Sequence, residues 1–281
     1  MRAGRVSRTN PEVRPRCDSV APRVGAGASG VAVKRAAKVR LDALVVARGL
    51  AESRAKAQAL IMAGDVTVGG QPGAKAGQLC EPDAAVEVRA APRFVGRGGL
   101  KLEAALDAFG IGVRGMRALD IGASTGGFTD CLLQRGAAEV VALDVGHDQI
   151  HWRLRGDARV RVIEGRNARL IEPGEFGELF DIVVMDVSFI SQRLIWPRVA
   201  EQLREGGVAI SLIKPQFEAG PDEVGRGGVV RDTGVRDRVV SEIRDFAERE
   251  IGFKVEGVIE SPVEGREGNR EYLLCARKCA G

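Results

Sequence analysis

The sequence predicts an α/β protein in two parts: a mostly parallel sheet of seven strands, preceded by a small α+β unit. Three observations predict it. From Gly99 onward short apolar runs alternate with helical patterns, as strands and crossover helices do in a parallel sheet. Before that, residues 38–90 hold a self-contained helix–helix–strand pattern, closed by Ala90-Ala91-Pro92. Charge divides the chain in the same place: residues 1–90 carry 15 Lys and Arg against 8 Asp and Glu, and the remainder 27 against 30. A basic first part is where a polyanionic partner is expected. The expected order is a basic tail over 1–37, a small unit over 38–90, a linker over 91–98 and the large sheet unit over 99–281.

The tail is rich in Arg, Pro, Gly, Ala and Ser without periodicity, and is expected to be disordered. It has no apolar stretch like that of a secretory signal. No apolar run anywhere reaches the ~18 residues of a membrane helix. A cytoplasmic protein without a membrane partner is therefore expected. The cysteines Cys17, Cys80, Cys131, Cys275 and Cys279 are scattered and odd in number, which argues against a disulfide framework. Only Cys275 and Cys279 lie close, and they lack the two further ligands of a zinc site, so no metal is expected.

In the small unit, Leu41, Leu44 and Val45 share one helical face and Gly49 ends that helix. Ser53 is placed to cap a second helix running through Ala55, Ala59, Leu60 and Met62 to Gly64. Val66 and Val68 alternate in a strand, Gly69-Gly70 turn, and Ala85–Val88 form a closing strand. Residues 34–56 hold Lys34, Arg35, Lys38, Arg40, Arg48, Arg54 and Lys56 against only Asp42 and Glu52. Such a cluster on a helical pair can follow the phosphates of structured RNA. The other reading is a solvated basic face. The order helix, turn, helix, Gly-Asp, strand, carried by Val39–Asp42, Ser53-Arg54 and Ala63–Gly70, resembles the RNA-binding domain first described in a small-subunit ribosomal protein. The resemblance implies RNA contacts from Lys38, Arg40, Arg48, Arg54 and Lys56, joined by Arg97 before the large sheet. Arg40-Leu41-Asp42 also looks like the catalytic triplet of pseudouridine synthases, but here it opens the first helix.

In the large unit, strands are expected over Ala118–Ile121, Val140–Asp144, Val160–Ile163, Ile182–Asp186, Val208–Ile213, Lys254–Ile259 and Tyr272–Ala276. The last two are joined by a short loop and should form an antiparallel hairpin at one side. A long amphipathic helix is expected over Thr233–Glu250. The clearest motif is Asp120-Ile121-Gly122-Ala123-Ser124-Thr125-Gly126-Gly127-Phe128, between a strand and a helix. Glycines there let the backbone turn and approach a ligand closely. The loop resembles the first motif of class I methyltransferases, which wraps S-adenosylmethionine. Asp144, ending the next strand, can accept the hydroxyls of a ribose, and Asn167 after the third strand can read an adenine. NAD shares the Asp144 argument and is the competing cofactor. His147 and His151, at i and i+4, imitate a zinc protease motif but lack its Glu and third ligand.

Four charged residues lie at strand ends or beside them: Lys101, Asp186, Lys214 and Glu271. In an open parallel sheet, ligands bind at the carboxyl ends of the strands. In order and position the four resemble the Lys-Asp-Lys-Glu tetrad of FtsJ-like ribose 2′-O-methyltransferases. With Val95–Leu102, the Asp120 loop, Asp186–Ser191, Ile213–Glu218 and Ser261–Gly265, the pattern resembles the TlyA (hemolysin-A-like) ribosomal RNA methyltransferases from residue 38 to about 277. The resemblance implies a Rossmann-like class I methyltransferase sheet behind a small RNA-binding domain. It also implies S-adenosylmethionine as cofactor, ribosomal RNA or ribosomal subunits as partner, and the cytidine ribose hydroxyl as acceptor. Lys214 is the candidate general base, a role that requires a neutral amine; Lys101 and the carboxylates would position the hydroxyl. Base N-methylation is the alternative, although Val187-Ser188-Phe189 replaces the Pro-Pro-aromatic sequence of amino-group methyltransferases. A membrane-active hemolysin would need an apolar hairpin or a membrane-seeking helix, and neither is visible. The chain is expected to act as a monomer or a dimer.

Overall fold

The computed structural model describes residues 37–89 and 92–280. The tail expected to be disordered, and Cys17 with it, lies outside the described residues except for its last position. The chain divides into two compact units, Met1–Ala90 and Ala91–Gly281.

The first unit begins with β1 (Val39–Arg40), which leads directly into α1 (Leu41–Ala47). Leu41, Leu44 and Val45 are buried as their spacing predicts. The chain then leaves the helix through backbone bonds from Arg48 to Leu44 and from Gly49 to Val46. Ser53 opens α2 (Arg54–Met62), its Oγ accepting the Lys56 N–H at 3.2 Å. Such a cap contributes about 1 kcal/mol. The buried face of α2 is Ala57 and Ile61, while Met62 points to solvent. The register is thus set by the residues that meet Val66 and Val86, not by the longest apolar side chain. The central β2 (Val66–Val68) pairs antiparallel with β3 (Gln71–Pro72) and with β5 (Val86–Val88), and β4 (Leu79–Cys80) pairs with β1.

The second unit starts earlier than the expected linker allows. Phe94 is buried in its core and the Val95 N–H donates to Asp130 at 2.8 Å, so residues 93–98 belong to its packing. Next come α3 (Gly98–Ala108), β6 (Arg117–Ile121), α4 (Gly127–Gln134) and β7 (Glu139–Leu143). They are followed by α5 (Trp152–Arg155), β8 (Val160–Ile163), β9 (Phe180–Met185), α6 (Trp196–Gln202) and β10 (Leu203–Ile213). The chain ends with α7 (Pro215–Glu218), α8 (Thr233–Asp245), β11 (Phe253–Glu260) and β12 (Tyr272–Lys278).

The sheet order is β8-β7-β6-β9-β10-β12-β11, parallel except for β12, which runs antiparallel to both its neighbours. The hairpin expected from the last two strands is therefore present, with its second strand inserted next to β10. Side chains alternate between two apolar layers. Ala118, Val140, Ile182, Val184 and Ile210 face one, and Leu119, Val141, Val183, Met185 and Ala209 face the other. Burial on both faces explains why these strands read as continuous apolar runs.

Two expected element boundaries in this unit shift by more than two residues. β10 starts at Leu203, and its register against β9 breaks between Leu203 and Val208, where exposed Arg204, Glu205 and Gly206 bulge out of the ladder. The expected helix to Glu250 ends as regular α at Asp245 and continues as one wide π turn, Phe246–Glu250, with Ala247 still facing the core. Strand order reverses between β6 and β9, and such a switch point opens a crevice at the carboxyl ends of the strands.

Candidate active site

That crevice is a cavity of about 700 Å³. Chain segments leaving β6, β7, β9 and β10 line it, with Lys101 of α3 and Glu271 before β12.

The segment after β6 is shaped by contact with its neighbours. Gly122 has φ 84°, and a Cβ there would run into the backbone carbonyl of Asp186. Only glycine allows the β6 and β9 ends to come this close. Gly126, at φ 95°, caps α4, and a Cβ would collide with the Leu154 side chain. Asp144, one residue past β7, accepts the Ser124 N–H at 2.8 Å on Oδ2 and the Gly146 N–H at 2.7 Å on Oδ1. These bonds fix its carboxylate at the cavity wall with lone pairs left for hydroxyls. Asn167 lines the same cavity and caps a short 3₁₀ turn, its Oδ1 taking the Arg169 N–H at 3.0 Å. Gly127 and Phe128 border a smaller recess of about 100 Å³ shared with Gly122 and Ser124.

Asp120 differs from its expected role. It is fully buried and accepts the Thr129 hydroxyl at 2.7 Å on Oδ2, so it ties α4 to β6 and does not line the cavity. Burial pushes its carboxyl up to about 7, helped by the charges of Asp186 and Asp144 and opposed by the Thr129 hydroxyl. The glycine cradle, the Asp144 carboxylate held at the wall and the room beside them fit S-adenosylmethionine.

The four charged residues converge as two ion pairs. Lys101 Nζ lies 2.5 Å from Glu271 Oε2, both nearly buried, and Gln216 Nε2 donates to the other Glu271 oxygen at 3.3 Å. Lys214 Nζ lies 2.5 Å from Asp186 Oδ1 and donates to Ser188 Oγ at 2.7 Å. Asp186 and Lys214 each sit one residue beyond their strand, where the backbone has left the ladder and the side chain is free to enter the cavity.

Several neighbours of the tetrad escaped sequence reasoning. Phe189 is 82% exposed and adopts a left-handed φ of 62°. Its ring lies 4.9 Å from that of Phe217, and Lys214 Nζ sits 5.9 Å from the Phe217 centroid. Glu218 accepts the Ser191 hydroxyl at 2.6 Å and the Gln192 N–H at 2.8 Å. Burial raises its carboxyl above the ordinary value, against those hydrogen bonds. These residues lie in or beside the motifs that carry Asp186 and Lys214, but only the fold brings the residues after β9 against those after β10.

In the first unit, Asp42 is buried and gathers Arg40 at 2.9 Å, Arg54 at 3.2 Å and Gln58 at 2.9 Å. The Arg40 guanidinium, with Gln58 and Arg54, holds its carboxyl well below the usual range. Arg40-Leu41-Asp42 is thus a structural hub. The side chains of Arg40 and Arg54 remain about half exposed, at 49% and 58%. Lys38 lies 3.7 Å from Glu81, Arg48 donates to the Pro82 carbonyl at 2.9 Å, and Lys56 is exposed. Arg97, exposed at the start of α3, lines the cavity of the second unit. His151 caps α5 through Nδ1 and stacks on Trp152, and His147 lies against Gly165. Among the described residues no group of three His, Cys, Asp or Glu could hold a metal ion.

Residues 94–278 match the FtsJ-like methyltransferase family, with the Asp120 loop and the tetrad inside the match. The chain belongs to that family. Residues 39–86 match the S4 domain, the small RNA-binding unit expected ahead of it. The 16S/23S rRNA (cytidine-2′-O)-methyltransferase TlyA of Mycobacterium tuberculosis is 46% identical over 86% of this chain and 91% of its own length. Hemolysin A of Brachyspira hyodysenteriae is 45% identical over 84% of this chain and 98% of its own. A solved structure from Streptococcus thermophilus, named as a hemolysin, is 42% identical with a TM-score of 0.67, covering 87% of this chain and 90% of the other. As an FtsJ-like methyltransferase, the protein uses S-adenosylmethionine as methyl donor.

Proposed function

We propose that the protein transfers the methyl group of S-adenosylmethionine to the ribose 2′-hydroxyl of cytidine in ribosomal RNA. The observation that carries this reading is the pairing of Lys214 with Asp186 and Ser188, beside Lys101 and Glu271, in the cavity that Asp144 also lines. The 16S/23S specificity named for the Mycobacterium tuberculosis relative supports extending the proposal to RNA of either subunit, and to work in the cytoplasm.

Bound along Gly122–Phe128 with Asp144, the cofactor supplies an electrophilic methyl on a sulfonium. The 2′-oxygen would take that methyl from the bound cofactor as the methyl–sulfur bond breaks and the neutral thioether leaves, and Lys214 Nζ, as a neutral amine, would take the hydroxyl proton. Asp186 and Ser188 fix the direction of the amine. Lys101, held by Glu271, and Gln216 line the approach and orient the hydroxyl, since alignment alone is worth up to ~7–11 kcal/mol for well-oriented groups. The exposed ring of Phe189, with the half-buried Phe217 tilted against it, offers an aromatic face on which a nucleobase lifted from its stack can rest. The S4 unit, with exposed Lys38, Arg40, Arg48, Arg54 and Lys56, holds the RNA through its phosphates.

A membrane-active reading, suggested by the hemolysin names, finds no support in the fold: no helix among the described residues is long and apolar enough to cross a membrane. The test is incubation of unmodified ribosomal subunits with the full chain and methyl-labelled cofactor, followed by digestion to nucleosides. Label in 2′-O-methylcytidine is expected; label in a base-methylated nucleoside would overturn the proposal.

A further inference from the structure

Three contacts join the segment after β9 to the segment after β10. Lys214 reaches Asp186 and Ser188, Phe217 packs tilted against Phe189, and Glu218 binds Ser191 and Gln192. The first two involve groups in the cavity. The third lies behind them and is made by a carboxylate with both oxygens engaged: Oε2 accepts the Ser191 hydroxyl at 2.6 Å, and Oε1 the Gln192 N–H at 2.8 Å.

What Glu218 holds is a segment with reason to relax. Phe189 sits at φ 62°, a conformation costly for a side chain with a Cβ, and its ring is largely in solvent. Ser188, next to it, is exposed and carries the oxygen that accepts from Lys214. The far side of the segment is anchored independently. Gln192 is buried, and its Oε1 accepts both the Trp196 indole N–H at 3.1 Å and the Ser211 hydroxyl. Residues 187–190 therefore span between a strand end and a fixed turn, and Glu218 ties that turn to α7, the helix that Lys214 caps.

We propose that Glu218 is a positioning residue for methyl transfer: by locking the Ser191–Gln192 turn to α7 it holds Ser188 and Phe189 in register with Lys214. The proposal rests on the 2′-O-methyl transfer reading of this cavity. The Glu218 carboxylate bonds to the Ser191–Gln192 turn, and not to the cofactor loop or the tetrad. Its loss should act on the transfer step and leave cofactor affinity in place.

The test compares Glu218→Ala, Glu218→Gln and Ser191→Ala in the full chain, measuring cofactor affinity by calorimetry, thermal unfolding, and kcat and KM on ribosomal subunits. Glu218→Ala should lose about ten-fold or more in kcat at saturating cofactor and RNA, as misplacement of a reacting group by a fraction of an ångström does. Its cofactor affinity should match that of the parent. Glu218→Gln should recover most of the rate, because its carbonyl still accepts the Gln192 N–H and its amide donates to Ser191 Oγ. Ser191→Ala, which breaks one of the two bonds, should fall between them, and this variant decides the matter if Glu218→Ala does not fold. Parent-like kcat in both alanine variants would overturn the proposal. So would a loss of rate that only follows a loss of folded protein or of cofactor binding. If the parent chain itself transfers no methyl to ribose, the functional reading fails first; if it does and the variants match it, only the role of Glu218 falls.

Discussion

Lys214 Nζ has a carboxylate at 2.5 Å and a hydroxyl at 2.7 Å, so substitutions there separate charge from proton transfer. Lys214→Arg keeps the positive charge near Asp186 but cannot give up a proton to become a base. It should lose about 10²–10⁴ in the rate of methyl transfer while cofactor binding persists. A nearly active Lys214→Arg enzyme would mean that the residue works by charge alone. Asp120 provides a second test, through stability. Its folded carboxyl titrates near 7, above the unfolded value of ~3.9. A raised acid stabilises the fold fully below the unfolded value, and that contribution is lost as pH rises through the folded one. In cofactor-free protein, the stability of Asp120→Asn relative to the parent should therefore grow between pH ~4 and ~7. A difference flat with pH in thermal unfolding would contradict the buried, proton-holding carboxyl. Sequence reasoning grouped Asp120 with the cofactor ligands because the motif carries it, whereas the Thr129 hydroxyl that occupies it belongs to the next helix.

At the scale of elements, the strands were legible because both faces of the sheet are covered, which writes each strand as an unbroken apolar run. Asp186 and Lys214 were legible as charge just past strand ends and Glu271 as charge just before β12, whereas Lys101 lies within α3. The pairing of the four was not legible: Lys101 meets Glu271 across 170 positions, and only the antiparallel insertion of β12 beside β10 brings them together. The register break in β10 and the π turn after α8 were equally hidden, since each answers to packing against a neighbour. Gly122 shows the reverse case, where one residue limits two elements. Gly122→Ala would push a Cβ into the Asp186 carbonyl at a left-handed φ. It should abolish measurable cofactor binding in calorimetry, since the β6 and β9 ends must part to admit it. Parent-like affinity would show that the loop has slack the structure does not.

For the whole molecule, the charge division seen in the sequence falls between two units with separate cores, but the positive excess sits in residues 1–37, with 8 Lys and Arg against 2 Asp and Glu, while residues 38–90 carry 7 against 6 and residues 91–281 carry 27 against 30. Arg48→Glu combined with Lys56→Glu, both on the exposed surface of the first unit, should weaken binding to ribosomal RNA. The slope of log affinity against log salt should fall by about 0.7–0.9 for each phosphate that is no longer neutralised. Cofactor affinity should stay as in the parent, and an unchanged salt slope would show that these cations face solvent only. The central claim concerns the accepting atom, and alkaline hydrolysis reads it directly. A 2′-O-methyl group removes the nucleophile that cuts the adjacent phosphodiester bond in alkali, whereas a methyl on a base leaves that nucleophile in place. Ribosomal RNA labelled by this protein from S-adenosylmethionine should, after complete alkaline digestion, carry its label in an alkali-resistant dinucleotide with cytidine on the 5′ side; label recovered in mononucleotides would contradict ribose methylation.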